Sequence, residues 1–207
     1  MAASSKDLIE SLSRHPELHD PRVLEAIGRV PRDAFVPDNL RCHAWEDRAL
    51  PISHDATISQ PYVVAFMTTS AAVREGDKVL EVGTGSGYQA AVLEELGADV
   101  FSVENVGELA REASVRLERL GYGGVHVRHG DGREGWPEEA PFDSILVTAA
   151  SLEIPEPLVT QLRLGGRLVI PLGTESQLLK VFVNETGGLV AEAQVPVRFV
   201  RLGFEKR

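Results

Sequence analysis

The architecture follows from the stretch Val79-Leu80-Glu81-Val82-Gly83-Thr84-Gly85-Ser86-Gly87-Tyr88. Lys78–Val82 is a short β-type run. Tyr88–Leu96, rich in alanine and leucine, suits a helix. Three glycines join the two. Glycine lets the backbone turn sharply and lets a ligand come close. In open α/β sheets, ligands bind beyond the carboxyl ends of the strands.

Working outward, the same alternation recurs on both sides. Upstream, Tyr62–Val73 follows Pro61 and reads as a helix. Downstream, Asp99–Val103 reads as a strand, and Gly107–Leu120 as an amphipathic helix stopped by Gly121. Val125–Arg128, Phe142–Val147 and Arg167–Ile170 are further strand candidates. Leu179–Val183 and Ala191–Val200 flank an expected turn at Asn184–Gly188, which predicts an antiparallel end. Near the start, Asp20-Pro21 is a helix-initiating pair, with Val23, Ile27 and Val30 at helical spacing. The prediction is an α/β fold: a doubly wound, mostly parallel sheet with helices on both faces, antiparallel C-terminal strands and additional N-terminal helices. One domain is expected over 1–207. It divides into a helical N-terminal segment (1–56), an α/β core (57–172) and C-terminal strands (173–207) whose edge is a candidate peptide-binding strand.

The glycine spacing discriminates among ligands. A dinucleotide fingerprint needs G-x-G-x-x-G, and here the third glycine, Gly87, comes one place too early. A P-loop needs Gly-Lys-Ser/Thr, and no lysine stands near. Glu81, just before the loop, repels pyrophosphate and attracts an ammonium group. Glu104 ends the next strand, at about the 20-residue spacing of an acidic residue that binds ribose hydroxyls in related sheets. Asp131-Gly132 follows the third strand at the same edge. S-adenosyl-L-methionine, with an ammonium, a sulfonium, a ribose and no phosphate, fits this set. Its product would be S-adenosyl-L-homocysteine.

Composition narrows the class. The chain has 207 residues, a formal net charge of −10, 43% hydrophobic residues and one cysteine, Cys42. The negative charge disfavours nucleic acid and anionic membranes as partners. A lone cysteine builds neither a disulfide framework nor a Cys-rich metal site, and no metal is expected. The start is polar through Lys6, without the apolar core of a signal peptide, and no apolar run reaches the ~20 residues of a membrane span. A cytoplasmic monomer is the expectation.

Thr57-Ile58-Ser59-Gln60-Pro61-Tyr62, followed by Glu81-Val82-Gly83-Thr84-Gly85-Ser86-Gly87-Tyr88-Gln89-Ala90-Ala91, resembles the protein-L-isoaspartate O-methyltransferase family of class I methyltransferases. Gly130-Asp131-Gly132, Ala140-Pro141-Phe142-Asp143, Val147-Thr148-Ala149-Ala150, Ile154-Pro155, Gln161-Leu162 and Val197-Arg198-Phe199-Val200 continue the match in order. It runs from about Arg29 to Leu202. The resemblance implies that Thr57, Ile58 and Ser59 lie on the cofactor and reaction side, with Ser59 in the catalytic position. It places Glu81, Gly83, Thr84, Gly85, Ser86, Gly87, Glu104, Asp131 and Gly132 around S-adenosylmethionine. Taken by itself, Ser59 also reads as a helix N-cap before Pro61.

The implied reaction moves a methyl from sulfonium to the free α-carboxylate of an isoaspartyl residue in a protein or peptide. That carboxylate has a pKa of ~4 and is already ionised, so no general base is needed. Ser59 would hydrogen-bond and aim it. The ester then closes to a succinimide that water reopens. A peptide lying along Val197–Val200, against Val197, Phe199 and Val200, would use backbone hydrogen bonds and tolerate varied side chains. Two stretches depart from the family pattern: Ser53-His54-Asp55-Ala56, where glycine and glutamine are common, and Arg201, where proline is common. Both lie on the expected substrate side. They keep a methyltransferase dedicated to one peptide in view, beside a non-catalytic cofactor-binding peptide sensor. A nucleic-acid methyltransferase conflicts with the acidic composition and the lack of an Asn-Pro-Pro-Tyr type motif.

Overall fold

The computed structural model describes residues 4–203. Two helices open it, α1 (Ser5–Leu12) and α2 (Pro21–Arg29). Helix α1 starts on a reciprocal cap between Ser4 and Asp7. In α2, Asp20 accepts from the Arg22 N–H, Pro21 takes the first turn, and Val23, Leu24, Ala26 and Ile27 are buried. Short 3₁₀ turns at Arg32–Phe35 and Asp38–His43 lead to a small antiparallel hairpin of β1 (Leu50–Pro51) and β2 (Thr57–Ile58). This hairpin is an addition to the helical N-terminal segment expected over 1–56. Strands of two residues carry too little alternation to be read from sequence.

Helix α3 (Pro61–Ala71) follows, then β3 (Lys78–Val82), α4 (Tyr88–Glu95), β4 (Asp99–Glu104), α5 (Gly107–Arg119), β5 (His126–His129), β6 (Phe142–Val147), α6 (Glu156–Thr160), β7 (Leu162–Gly173), β8 (Gln177–Glu185) and β9 (Gly188–Val197). The seven-stranded sheet has the order β5-β4-β3-β6-β7-β8-β9. Its first five strands are parallel; β7, β8 and β9 form an antiparallel meander. This is the mostly parallel α/β sheet with an antiparallel end that the sequence predicts.

Three elements differ in extent. Strand β7 begins at Leu162, well before the expected Arg167, because Gly165-Gly166 does not turn the chain away. A side chain at Gly166 would lie 2.9 Å from the Asp143 carbonyl, so glycine lets the two strands approach where the β6–β7 register shifts. The turn between β8 and β9 tightens to the pair Glu185↔Gly188. Strand β9 stops at Val197, and a separate extended piece follows, in which Arg201 bridges in parallel to Ala150.

Alternation along the central strands sorts the core into two layers. Leu80, Val82, Phe101, Val103, Ile145 and Val147 pack on one face with Leu158 of α6. Val79, Val100, Leu146 and Val169 pack on the other, under α1 to α4. The second face also carries Glu81 on β3 and Ser102 and Glu104 on β4. Polar groups therefore enter a buried layer near the strand tips. Among the described residues, no helix is long and apolar enough to cross a membrane.

Candidate active site

A cavity of about 510 Å³ opens at the carboxyl edge of β3, β4 and β6. Its walls come mainly from five separate parts of the chain: His54–Ser59, the loop after β3, the β4–α5 junction, Thr148 and Ala149 after β6, and Val200–Gly203.

The floor is set by strand register. Glu81 and Ser102 are paired residues of β3 and β4 and project on the same face. Ser102 Oγ donates to Glu81 Oε2 at 2.5 Å, and Thr84 Oγ1 lies 2.6 Å from Ser102 Oγ. Glu81 is fully buried, and its Oε1 has no hydrogen-bond partner among the described residues. Burial pushes its pKa up to about 8, opposed by the Ser102 hydrogen bond and aided by nearby Glu104. A buried carboxylate oxygen without a partner is costly unless a ligand satisfies it. An ammonium group meets that need; a phosphate does not.

Glu104 closes the side wall. Its Oε2 accepts from the Gly85 N–H at 2.8 Å and its Oε1 from the Val106 N–H at 3.1 Å. Each oxygen has capacity to accept a further hydrogen bond, as ribose hydroxyls require, and Glu104 lines the cavity. The loop itself runs through positive φ at Gly83, Gly85 and Gly87. At Gly85 an added Cβ would meet only Ile52 Cδ1, at 3.9 Å, so the backbone faces open space. At Gly83 it would strike Thr148 Oγ1 at 2.3 Å. Thr148 donates to the Gly83 carbonyl at 2.6 Å, which locks the tip of β6 to the loop.

The opposite wall carries Thr57, Ile58 and Ser59. Ser59 is not a helix cap. The N-cap position of α3 is Gln60, without a side-chain cap bond of its own. Asp47 caps the helix instead: its Oδ1 accepts from the Tyr62 N–H at 2.8 Å and its Oδ2 from Gln60 Nε2 at 3.0 Å. The Ser59 hydroxyl makes no hydrogen bond among the described residues and stands on the cavity wall. At the tip of the β1–β2 hairpin, His54 and Asp55 both take positive φ, 59° and 54°.

Of the residues singled out in the sequence, the structure brings Thr57, Ile58, Ser59, Glu81, Gly83, Thr84, Gly85, Ser86, Glu104, Gly132 and Val200 to one cavity. Gly87 lies behind it, against Leu117. Asp131 also stands back from it: hydrogen bonds from Arg133 occupy its carboxylate and hold it below the usual range. Gly132 is required by packing as well, since a Cβ there would lie 2.4 Å from Val82 Cγ1. Val197 and Phe199 do not reach the cavity. Val197 pairs with Gln177, and both backbone polar groups of Phe199 are hydrogen-bonded to the Gln177 side chain. The Val200 carbonyl accepts from the Ala150 N–H. The backbone groups of Phe199 and the Val200 carbonyl, expected to hold a peptide, thus hold the chain's own tail. Ser102, Thr148 and Asp47 were not anticipated. For Ser102 the signal is its register opposite Glu81, which appears only once strands are paired.

The chain matches the family model described as protein-L-isoaspartate(D-aspartate) O-methyltransferase over residues 3–207. A protein-L-isoaspartate O-methyltransferase of Gloeobacter violaceus is 55% identical over 186 residues, covering 89% of this chain and 91% of the relative. A solved protein-L-isoaspartate O-methyltransferase superposes with a TM-score of 0.86 at 30% identity, over 96% of this chain and 66% of that one. A Plasmodium falciparum structure described as a protein of the same kind, in complex with S-adenosyl-L-homocysteine, superposes with a TM-score of 0.83 at 25% identity, over 98% of this chain and 99% of that one. On sequence and fold alike, the chain belongs to the protein-L-isoaspartate O-methyltransferase family.

Proposed function

We propose that the chain transfers a methyl group from S-adenosylmethionine to the free α-carboxylate of L-isoaspartyl residues in proteins and peptides, the opening step of a repair route through a succinimide. The observation that carries this reading is that Ser59 and Glu81 line one cavity, and that one oxygen of Glu81 has no hydrogen-bond partner among the described residues.

S-adenosylmethionine supplies, when bound, a methyl group on a positively charged sulfur. Every other contribution belongs to the chain. Glu81 would receive the ammonium at Oε1, and the approaching positive charge favours its ionised form against the effect of burial. Glu104 would hold the ribose, and the Gly83–Gly85 backbone would let the ligand lie close. Ser59 would donate its hydroxyl to the substrate carboxylate and aim one oxygen. The carboxylate arrives ionised, so the site needs no base. Among the described residues neither lysine nor cysteine lines the cavity, and its histidine, His54, sits on an exposed turn. Rate enhancement comes mainly from alignment, which supplies up to ~7–11 kcal/mol in favourable cases, and from stripping water off the carboxylate.

The setting we infer is a cytoplasmic monomer without nucleic-acid partners, the last supported by the net charge of −10. Matched peptides carrying isoaspartate or aspartate at one position, incubated with labelled S-adenosylmethionine, test the reading. Strong labelling of the isoaspartyl peptide alone is expected. Equal labelling of both, or of neither, overturns it.

A further inference from the structure

The segment Val200–Gly203 crosses the cavity mouth as a strap. At one end the Ala150 N–H donates to the Val200 carbonyl and the Leu202 N–H donates to the Ala150 carbonyl, both at 2.7 Å, beside the tip of β6. At the other end Asn105 Nδ2 donates to the Gly203 carbonyl, just past the tip of β4. Strand β3, with its glycine loop, lies between those two strands in the sheet. The strap therefore passes over the place where a bound cofactor would present its reacting group.

Along this extended piece, successive side chains alternate. Leu202 turns inward, packing against the core layer that holds Val82 and lying near Gly132. Arg201, its neighbour, turns the other way and is exposed on the cavity rim.

The charges around it make that position consequential. Among the described residues, the titratable side chains lining the cavity are His54, Asp55, Glu81, Tyr88, Glu104, Glu108 and Arg201. Four of these are carboxylic acids, and of the described lining residues Arg201 alone is permanently cationic. It forms no ion pair among the described residues. An isoaspartyl substrate is an anion entering an acidic site on an acidic protein, and each negative group on it adds repulsion. A guanidinium at the rim offsets this and offers a planar fork to a second carboxylate.

We propose that Arg201 is a specificity-determining residue that pairs with an acidic side chain next to the isoaspartate, so that this enzyme favours acidic over basic sequence contexts. The proposal rests on the isoaspartyl reading above. Because Arg201 is exposed on the rim whereas Glu81 is fully buried, its effect falls on KM for the peptide rather than on cofactor affinity.

The test uses two isoaspartyl peptides, one with glutamate and one with lysine beside the isoaspartate, and the full chain as wild type, R201A, R201E and R201K. Wild type is expected to show a lower KM for the glutamate peptide. R201A should raise that KM about threefold to tenfold, within the range of one exposed ion pair aided by a local excess of like charge. R201E should invert the preference, and R201K should keep part of it. The preference of wild type should shrink between about 20 and about 200 mM salt, as screening requires. Affinity for S-adenosylhomocysteine, measured by calorimetry, should stay within about twofold throughout and reports that the variants are folded. An unchanged glutamate-to-lysine KM ratio in R201A, with wild type active, overturns the role of Arg201 alone. A wild type that labels neither isoaspartyl peptide overturns the isoaspartyl reading, and the inference with it.

Discussion

Glu81 and Ser102 face each other across β3 and β4, and Ser102 gives its hydroxyl to one oxygen of Glu81 while the other oxygen has no partner among the described residues. The pair explains how a carboxylate is tolerated in the buried layer: half of its hydrogen-bonding capacity is met by the fold, and half is left for a ligand.

Glu81 should make stability depend on pH. Its ordinary value of 4.5 is pushed up to about 8 in the fold. Between those values the folded chain holds a proton that the unfolded chain has lost, so stability falls as pH rises through this window. Glu81→Gln removes the effect. The melting temperature of the variant minus that of wild type, without ligand, should be larger at pH 8.5 than at pH 5. A constant difference would show that Glu81 does not hold its proton in the fold. The same variant should bind S-adenosylhomocysteine at least about tenfold more weakly, as loss of a charged hydrogen bond implies.

Ser59→Ala should lower the rate of methyl transfer by about ten- to a hundredfold, the range for losing one hydrogen bond to a charged group. Binding of S-adenosylhomocysteine should change little, because Ser59 would act on the other reactant. Wild-type turnover in the variant would remove Ser59 from the mechanism.

Asp47→Ala should cost about 0.5–2 kcal/mol, as loss of a helix cap does. It removes the acceptor for the Tyr62 N–H and frees Gln60, directly beside Ser59. Asp47→Asn keeps a carbonyl oxygen for Tyr62 and should restore most of the melting temperature in thermal denaturation. Equal losses in both variants would mean that the cap bond contributes little.

Asp55→Gly should stabilise the chain by about 0.5–1 kcal/mol. His54 and Asp55 both sit at positive φ, where L residues are disfavoured by roughly 1–2 kcal/mol, less for Asp, and glycine is not. Chemical denaturation would show the gain as a higher midpoint with an unchanged slope. A lower midpoint would indicate that the Asp55 side chain holds the turn.

Much of the fold was legible because its signals are local. Tyr88–Leu96, Gly107–Leu120 and Phe142–Val147 are long enough for their periodicity to show, and Asp20-Pro21 marks a helix start by chemistry alone. Helix α1 carried an equally local signal, the Ser4–Asp7 cap, but its polar residues hid it. The site was legible where glycines and carboxylates follow strands, as at Glu81 and Glu104. It was obscure where function depends on pairing across the chain. Ser102 matters because of its register with Glu81, Asp47 because the chain returns to α3, and Arg201 because the tail docks on Ala150. What the sequence does not show at Phe199 is that Gln177, far away in the chain, takes its backbone groups.

The cavity is walled by pieces drawn from near residues 55, 85, 105, 148 and 201. Closing loops of that length costs entropy before any contact repays it, so such a rim is completed late in folding. A chain cut back to just before Val200 would already possess the glycine loop and all seven sheet strands, yet lack this wall. The cradle beneath the glycine loop and the rim above it are thus separable parts of one cavity, the first built by the sheet and the second by a segment docked on it.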